Sequence, residues 1–143
     1  MIRLLNEKLS LNDFRSTVTR HTNQEGKPVT IKWYDGKTKV AEVLVDTEPA
    51  IDGYRWIGDV EVNPKYRGNS LGTQVIQYVM DKYKAGALGV RTDNEIALKM
   101  YKKAGFKIKG DTFMEDGAEH YRMYYKPNID KSAVKERKVM CHE

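Results

Sequence analysis

The chain has 143 residues, 40% hydrophobic and 31% charged, and this size and balance predict one domain with a single core. Its 25 Lys and Arg against 20 Asp and Glu give a net charge of +5, which favours an anionic ligand but is also ordinary for a solvated surface. No run approaches the roughly 18 apolar residues of a membrane span, and the first ten residues lack the apolar core of a secretory signal, so a cytoplasmic protein is expected. The single cysteine, Cys141, excludes an internal disulfide, and with only three histidines no metal site is expected.

The first predicted element is a helix. Ser10 followed by Asp13 resembles a capping box, and the helix would run through Leu11, Phe14 and Val18 to about His21.

A hairpin follows the predicted helix. Val29, Ile31 and Trp33 alternate with polar residues, Asp35-Gly36 offers the positive φ angles of a tight turn, and an apolar run over 40–45 forms the second strand.

The third strand is predicted from Tyr54 to Val62, where Pro64 stops it. Alternation assigns one face to Tyr54, Trp56, Val60 and Val62, and the other face to Ile57, Asp59 and Glu61.

A helix and a short strand come next. Leu71, Val75, Ile76, Val79, Met80 and Tyr83 recur at helical spacing, Gly86 is expected to be the C-cap, and residues 88–90 read as a short buried strand.

The last predicted elements are a helix and two strands. Thr92 with Glu95 suggests a second capping box, and Gly105 terminates a helix whose apolar face is Ile96, Ala97, Met100, Tyr101 and Ala104. Strands over Phe106–Phe113 and Glu119–Lys126 are joined by Asp116-Gly117. This order of elements predicts a mixed α/β or α+β sheet with a domain over 1–126, and a basic tail over 127–143 that is mobile or a short helix.

The stretch VNPKYRGNSLG, residues 62–72, leads from a strand directly into a helix. The first amides of a helix lack internal acceptors, Gly68 and Gly72 allow a close approach to the backbone, and Lys65 and Arg67 add positive charge. A phosphate or pyrophosphate suits this place; the alternative is a simple turn with Ser70 as N-cap and a solvated basic edge.

Two segments carry a family resemblance. Residues 62–72 resemble the acyl-CoA motif R/Q-x-x-G-x-G/A of the GNAT superfamily of N-acetyltransferases, and NEIALKMYKKAGF, residues 94–106, resembles its N-x-x-A-x-x-x-Y-x-x-x-G-F segment. Ser70 stands where the family usually has its middle glycine. The resemblance implies a central mixed, mostly antiparallel sheet flanked by helices, with a splayed strand pair that holds the cofactor.

The same resemblance implies acetyl-CoA as co-substrate. Backbone amides near Val60 and Val62 would bind the pantetheine and polarise the thioester carbonyl. Asn94 would either bond the pantetheine region or only cap its helix. The pyrophosphate would lie on the turn and first helical residues Arg67, Gly68, Asn69, Ser70, Leu71, Gly72 and Thr73.

Three side chains are candidates for the chemistry. An amine with a pKa near 10.4 must lose a proton before it attacks, and Glu61, then Asp59, are the candidate bases; alternatively a water relay serves, or both are solvent-facing or ion-paired carboxylates. Tyr101 resembles the family's general acid for the departing thiolate, although a tyrosine on an apolar helix stripe is often only core.

Two groups of residues, one of tyrosines and one of lysines, each allow two interpretations. Tyr121, Tyr124 and Tyr125 line the acceptor pocket or pack in the core, and five lysines over 99–109 meet a 3′-phosphate or a polyanion, or form a solvated face.

The leading function is an N-acetyltransferase that works by direct transfer in a ternary complex, as a monomer or homodimer with no membrane partner. Its acceptor is a protein lysine or N-terminus, a small-molecule amine, or an aminoacyl-tRNA, since the net charge mildly favours a polyanion. The alternative is a degenerate GNAT domain that binds nucleic acid or protein without catalysis.

Overall fold

Eight strands form one sheet in the order β1-β2-β3-β4-β5-β8-β6, with β7 also paired to β8. The computed structural model describes residues 9–126. All neighbouring strands are antiparallel except β4 and β5, which run parallel. This confirms the predicted mixed, mostly antiparallel sheet. The strands are Arg15–Arg20 (β1), Val29–Asp35 (β2), Thr38–Val45 (β3), Arg55–Val62 (β4), Ala85–Arg91 (β5), Lys107–Ile108 (β6), Phe113–Glu115 (β7) and Ala118–Tyr124 (β8).

Two α-helices, Leu71–Tyr83 (α1) and Glu95–Lys103 (α2), share one hydrophobic core with the sheet. The predicted stripe of α1 is confirmed, since Leu71, Val75, Ile76, Val79 and Met80 are buried. Neither helix is long and apolar enough to cross a bilayer within residues 9–126. The predicted tail over 127–143, with Cys141, lies outside the described residues.

The predicted first helix is wrong. The capping box of Ser10 and Asp13 is present, but it closes only a 3-10 turn over Leu11–Asp13. The chain then enters β1, whose Val18 pairs with Ile31 at the edge of the sheet. The segment RSTVTR is rich in β-branched residues, which favour a strand, and strand pairing therefore prevailed over the local helix signal.

A bulge in β4 corrects the predicted faces of that strand. Val43 of β3 pairs with Val60 and Val45 pairs with Ile57, so β4 has one extra residue between these two pairs. Ile57 is therefore buried on the face of Val60, not on the face of Asp59 and Glu61 as predicted. Trp56, predicted on the face of Val60, lies on the opposite face, where its ring contacts Tyr124.

Several element ends also differ from prediction. In the first hairpin only Gly36 has a positive φ, because Asp35 is still paired in β2. Helix α1 ends at Tyr83, and its C-cap is Lys84, whose φ of 56° is left-handed. The predicted C-cap, Gly86, instead belongs to β5. The single strand predicted over 106–113 is two strands, β6 and β7, separated around Gly110 with its φ of 81°.

The ends of α2 give a mixed result. Asn94, not Thr92, caps the helix, and Ile96 is 85% exposed and lies off the apolar face. Gly105 terminates the helix as predicted, with a φ of 104°. The Asp116-Gly117 turn is confirmed, with positive φ at both residues.

Candidate functional site

A gap opens between the two parallel strands. β4 and β5 pair only at their beginnings, up to Ile57 opposite Leu88, although β4 continues to Val62 and β5 to Arg91. The bulge at Gly58 and Asp59 starts where this pairing stops. An extended ligand can therefore find backbone groups of two strands in this gap.

A cleft of about 760 Å³ occupies the gap, which is within the usual size of small-molecule sites. Of the predicted site residues it brings together Asp59, Val60, Glu61, Asn94 and Tyr101. A second groove of about 590 Å³ runs past Val60, Glu61 and Val62 to Arg67. Val60 and Glu61 line both grooves, and Arg67, in the turn before α1, lines only the second.

The turn before α1 exposes backbone amides. Gln74 is the first residue whose N–H donates within the helix, to the Ser70 carbonyl, so the amides of Leu71, Gly72 and Thr73 precede the helical ladder. Gly68 has a φ of 88°, and nothing stands within 4 Å of the position of a Cβ there. This open, amide-rich turn fits an anionic group such as a pyrophosphate.

Ser70 is the N-cap residue of α1, but not in the predicted way. Its φ of 60° is left-handed and its hydroxyl makes no capping bond. A glycine adopts this conformation without the steric cost of a Cβ, which gives a physical reason for glycine at this place in the motif.

Three predicted cofactor contacts have structural tasks of their own. The Leu71 side chain is buried in the core, so only its backbone faces a ligand. A Cβ on Gly72 would come within 2.9 Å of the Met100 sulfur, so this glycine lets α1 and α2 approach. Asn69 donates to the Tyr66 carbonyl and accepts from the Leu9 amide.

Tyr101 projects from α2 into the cleft and is 9% exposed. Burial, and secondarily the charge of Asp59, raises the pKa of its phenol to about 12. The phenol therefore remains protonated at neutral pH and can donate a hydrogen bond to a group in the cleft.

The two candidate bases differ in surroundings. Glu61 lies 3.8 Å from Lys39, with 63% of its side chain exposed. Asp59 is also exposed, but its charge acts on Tyr101 across the cleft. Asn94 accepts from the Ala97 amide at 3.1 Å as a helix cap, and it also lines the cleft.

The tyrosines in and directly after β8 lie on two faces of the sheet. Tyr121 and Tyr125 pack against the core, whereas Tyr124 contacts Tyr54 and Trp56 on the opposite face, with ring centroids 4.7 and 5.8 Å apart. None of the three lines the large cleft.

Lys107 lies away from the acyl-CoA motif. It pairs with Tyr124, which pairs with Ala87 near the start of β5, whereas the motif follows the far end of β4. The strand between these ends has eight residues, a span of roughly 25 Å, so Lys107 is remote from the predicted pyrophosphate site.

Two titratable residues of the cleft escaped the sequence analysis. Asp46, at the end of β3, lines the cleft, and burial together with the charge of Glu25 raises its pKa to about 6. His120 lines it from β8. Neither stands in a motif, and only the sheet register brings them to the gap. Within residues 9–126 no group of three His, Cys, Asp or Glu side chains is arranged to hold a metal ion.

Comparisons with known proteins agree with this geometry. The sequence profile described as the Acetyltransferase (GNAT) family matches residues 4–106. An uncharacterized protein of Mycobacterium leprae is 35% identical and the N-alpha-acetyltransferase RimI of Mycobacterium tuberculosis is 32% identical, each over 69 residues or 45% of this chain. These segments span 19% and 44% of the two relatives, less than half of either protein.

Two solved structures are similar in fold. A Bacillus subtilis acetyltransferase in complex with CoA superposes with a TM-score of 0.60 at 14% identity, covering 78% of this chain and 97% of that one. Arabidopsis thaliana Naa50, in complex with the bisubstrate analogue CoA-Ac-MVNAL, gives a TM-score of 0.53 at 29% identity, covering 66% of this chain and 70% of that one.

Proposed function

Because the chain belongs to the acetyltransferase (GNAT) family, we propose that it is a cytoplasmic enzyme that transfers an acetyl group from acetyl-CoA to a primary amine. The observation that carries the proposal is the unpaired end of β4 and β5, which continues into the amide-rich turn before α1. The cleft and the second groove share Val60 and Glu61, and Arg67 lines the second groove, which supports one continuous surface for pantetheine and pyrophosphate.

Recognition of acetyl-CoA rests mainly on backbone. The amides of Gly68 to Thr73, with the charge of Arg67, face the pyrophosphate. The backbone of Val60 and Val62 bonds the pantetheine and donates to the thioester carbonyl, which becomes more negative as the amine attacks. Asn94 adds a side-chain amide beside the arm while it caps α2.

Transfer is direct, within a ternary complex. The amine nitrogen forms a bond to the carbonyl carbon, the carbon–sulfur bond breaks, and the thiolate leaves with its electron pair. Tyr101 donates a hydrogen bond to this thiolate; a phenol with a pKa of about 12 is a weaker acid than a thiol with the usual value near 8.5, so donation precedes any full proton transfer. A base in the cleft accepts a proton from the amine; Asp59, Glu61 and a water relay are the candidates that the sequence offers.

The charges of the cleft favour a cationic acceptor. Asp46, Asp59, Glu61 and Glu115 line it, and the lining cation Arg91 is paired with Asp93 at 3.0 Å. The names of two similar proteins, an N-alpha-acetyltransferase and one bound to a peptide bisubstrate, point to the α-amine of a peptide. We place this acceptor before a small-molecule amine and before an aminoacyl-tRNA, whose phosphates the carboxylates would repel.

A second candidate function rests on the lysine run. Lys99, Lys102, Lys103, Lys107 and Lys109 are exposed and do not line the cleft, which suits a nucleic-acid contact by a non-catalytic domain. Such a domain would bind RNA or DNA with a steep salt dependence and would gain no thermal stability from acetyl-CoA.

Binding of acetyl-CoA tests the proposed function first. We expect calorimetric binding and a rise in melting temperature, which Arg67→Glu weakens by about tenfold in affinity. Lys107→Glu makes the same charge change at a residue remote from the turn and should leave affinity nearly intact. Transfer is then followed by mass spectrometry of peptides with a free α-amine, with spermidine and an aminoacyl-tRNA as the competing acceptors. No heat with acetyl-CoA, or equal losses in both variants, would reject the site.

A further inference from the structure

His120 lies at the open end of the gap. It pairs with Arg91, the last residue of β5, and β5 is unpaired with β4 from Gly89 onward. Neighbouring strands lie about 4.8 Å apart, so His120 is one strand spacing from the gap, and its side chain lines the cleft together with Asp59 and Tyr101.

The imidazole ring is held in one orientation. It stacks on Phe113, with ring centroids 5.3 Å apart and planes 29° apart. Phe113 is itself fixed, because its ring covers Gly89 so closely that a Cβ there would come within 2.8 Å, and because the Arg122 guanidinium lies 4.6 Å from its centroid. Such support keeps a ring in position for a substrate.

A hydrogen bond also determines the tautomer. His120 Nδ1 lies 2.9 Å from the Ala118 carbonyl oxygen, which can only accept, so Nδ1 carries the hydrogen. In the neutral ring Nε2 then has a free lone pair. A histidine oriented in this way is the usual arrangement of a general base.

We propose that His120 Nε2 accepts the proton of the acceptor amine, in place of the strand carboxylates; this rests on the proposed acetyl transfer. An ammonium group must lose two protons before the product is a neutral amide. His120 takes the first, which frees the lone pair that attacks the thioester carbon, and it passes this proton to solvent. The departing sulfur receives its proton from Tyr101, and the second proton of the amine then restores the Tyr101 phenol. The sum is ammonium plus thioester giving amide, thiol and one released proton.

Asp59 and Glu61 are less suited to accept the amine proton than the sequence alone indicates. Glu61 faces Lys39 and is mostly exposed, so its charge is partly compensated and well hydrated. Asp59, Glu61 and Glu115 instead attract the incoming ammonium group and hold it near His120. The other charged groups around the ring are Arg91 with Asp93 beyond β5, and Arg122 and Glu119 on β8.

The test compares pH profiles of kcat/KM for acetyl-CoA and a short peptide with a free α-amine. His120→Asn retains a donor for the Ala118 carbonyl but has no basic nitrogen to take up a proton, and His120→Gln is the second variant in case the first is unstable. We expect each to lower kcat/KM by at least about tenfold at neutral pH and to remove the rise of the rate with pH in the neutral range. The calorimetric affinity for acetyl-CoA should stay unchanged.

Matched controls separate the outcomes. His21 bonds Thr30 of β2 through its Nε2 near the opposite edge of the sheet from β8, so His21→Gln should behave as wild type. Asp59→Asn and Glu61→Gln should raise KM and keep the neutral rise. If the rise persists in both His120 variants, or disappears in Glu61→Gln alone, the proposal is wrong. A wild-type protein that binds acetyl-CoA but acetylates no amine would instead reject the proposed function, and the proposal for His120 with it.

Discussion

Tyr101 shows how burial changes what one side chain can do. On the sequence it is a tyrosine within an apolar stripe, equally suited to packing. In the structure it packs on Phe106 at 6.2 Å and also lines the cleft, with a pKa raised to about 12. A buried phenol with this pKa stays protonated at neutral pH and therefore remains a hydrogen-bond donor.

Replacement of Tyr101 by Phe keeps the packing and removes the donor. We expect turnover to fall by more than about tenfold, while affinity for acetyl-CoA barely changes. Steady-state kinetics together with calorimetry measure both quantities. Unchanged turnover would leave Tyr101 with a packing role only.

Ser70 has a backbone conformation that its Cβ disfavours, with a φ of 60°. Ser70→Gly should raise the free energy of unfolding by up to about 1 kcal/mol, because an L-residue in the left-handed region costs about 1–2 kcal/mol and the added chain entropy of glycine offsets part of this. Urea denaturation measures the change. Ser70→Ala retains the Cβ and should give no gain; a gain there would mean that the hydroxyl, not the backbone, is responsible.

At the scale of elements, the bulge in β4 has the largest effect on the site. It moves Ile57 into the core and leaves Asp59 and Glu61 facing the cleft, at the point where β5 diverges. Period-two alternation cannot anticipate an inserted residue, so the sequence located this strand and its stop correctly but assigned Ile57 to the wrong face.

The end of α2 offers a test of element packing. Gly105 has a φ of 104°, and a Cβ there would come within 2.6 Å of the Tyr125 ring. Gly105→Ala should therefore cost about 3 kcal/mol of unfolding free energy, from backbone strain and overpacking together.

Gly110 is the matched control for Gly105, with a φ of 81° and no atom within 4 Å of a Cβ. Gly110→Ala should cost only about 1 kcal/mol, from the backbone alone. Equal losses of stability in the two variants would show that contact with Tyr125 is unimportant.

At the scale of the whole molecule, charge is distributed unevenly. The chain carries +5, yet the cleft is lined by several carboxylates, and none of the five lysines over 99–109 lines it. On the sequence, the net charge favoured a polyanionic acceptor. Only the fold shows that these positive charges lie outside the lining of the cleft.

Stability of the molecule should depend on pH through Asp46. Its pKa is about 6 in the folded protein and near 3.9 when unfolded, so the folded state prefers the neutral form. The contribution of neutral Asp46 to the free energy of unfolding is complete below about pH 4 and is lost as pH rises through 6. Asp46→Asn should therefore change stability little at pH 4 and raise the denaturation midpoint at pH 7.5. Glu25→Gln should give part of that gain; a difference independent of pH would contradict the mechanism.

The sequence predicted those parts of the fold whose signals are local. The hairpin over 29–45, the α1 stripe and the Asp116-Gly117 turn follow from spacing and turn chemistry, and two motifs predict a cofactor site. It failed where tertiary pairing decides: Arg15–Arg20 became an edge strand, and Asp46 and His120 reach the cleft only through strand register. These two residues stand in no motif, so no reading along the chain could have found them.

The side chain of Gln74 ties the segment before β1 to the start of α1. It accepts from the Leu11 amide at 2.8 Å and donates to the carbonyls of Leu9 and Asn69 at 3.0 and 3.2 Å. The turn predicted to bind the pyrophosphate therefore shares its rigidity with a stretch more than sixty positions earlier in the chain. A ligand that orders this turn should therefore also slow the local opening of the segment before β1. We expect coenzyme binding to protect the backbone amides of that segment from hydrogen exchange, although they do not contact the coenzyme.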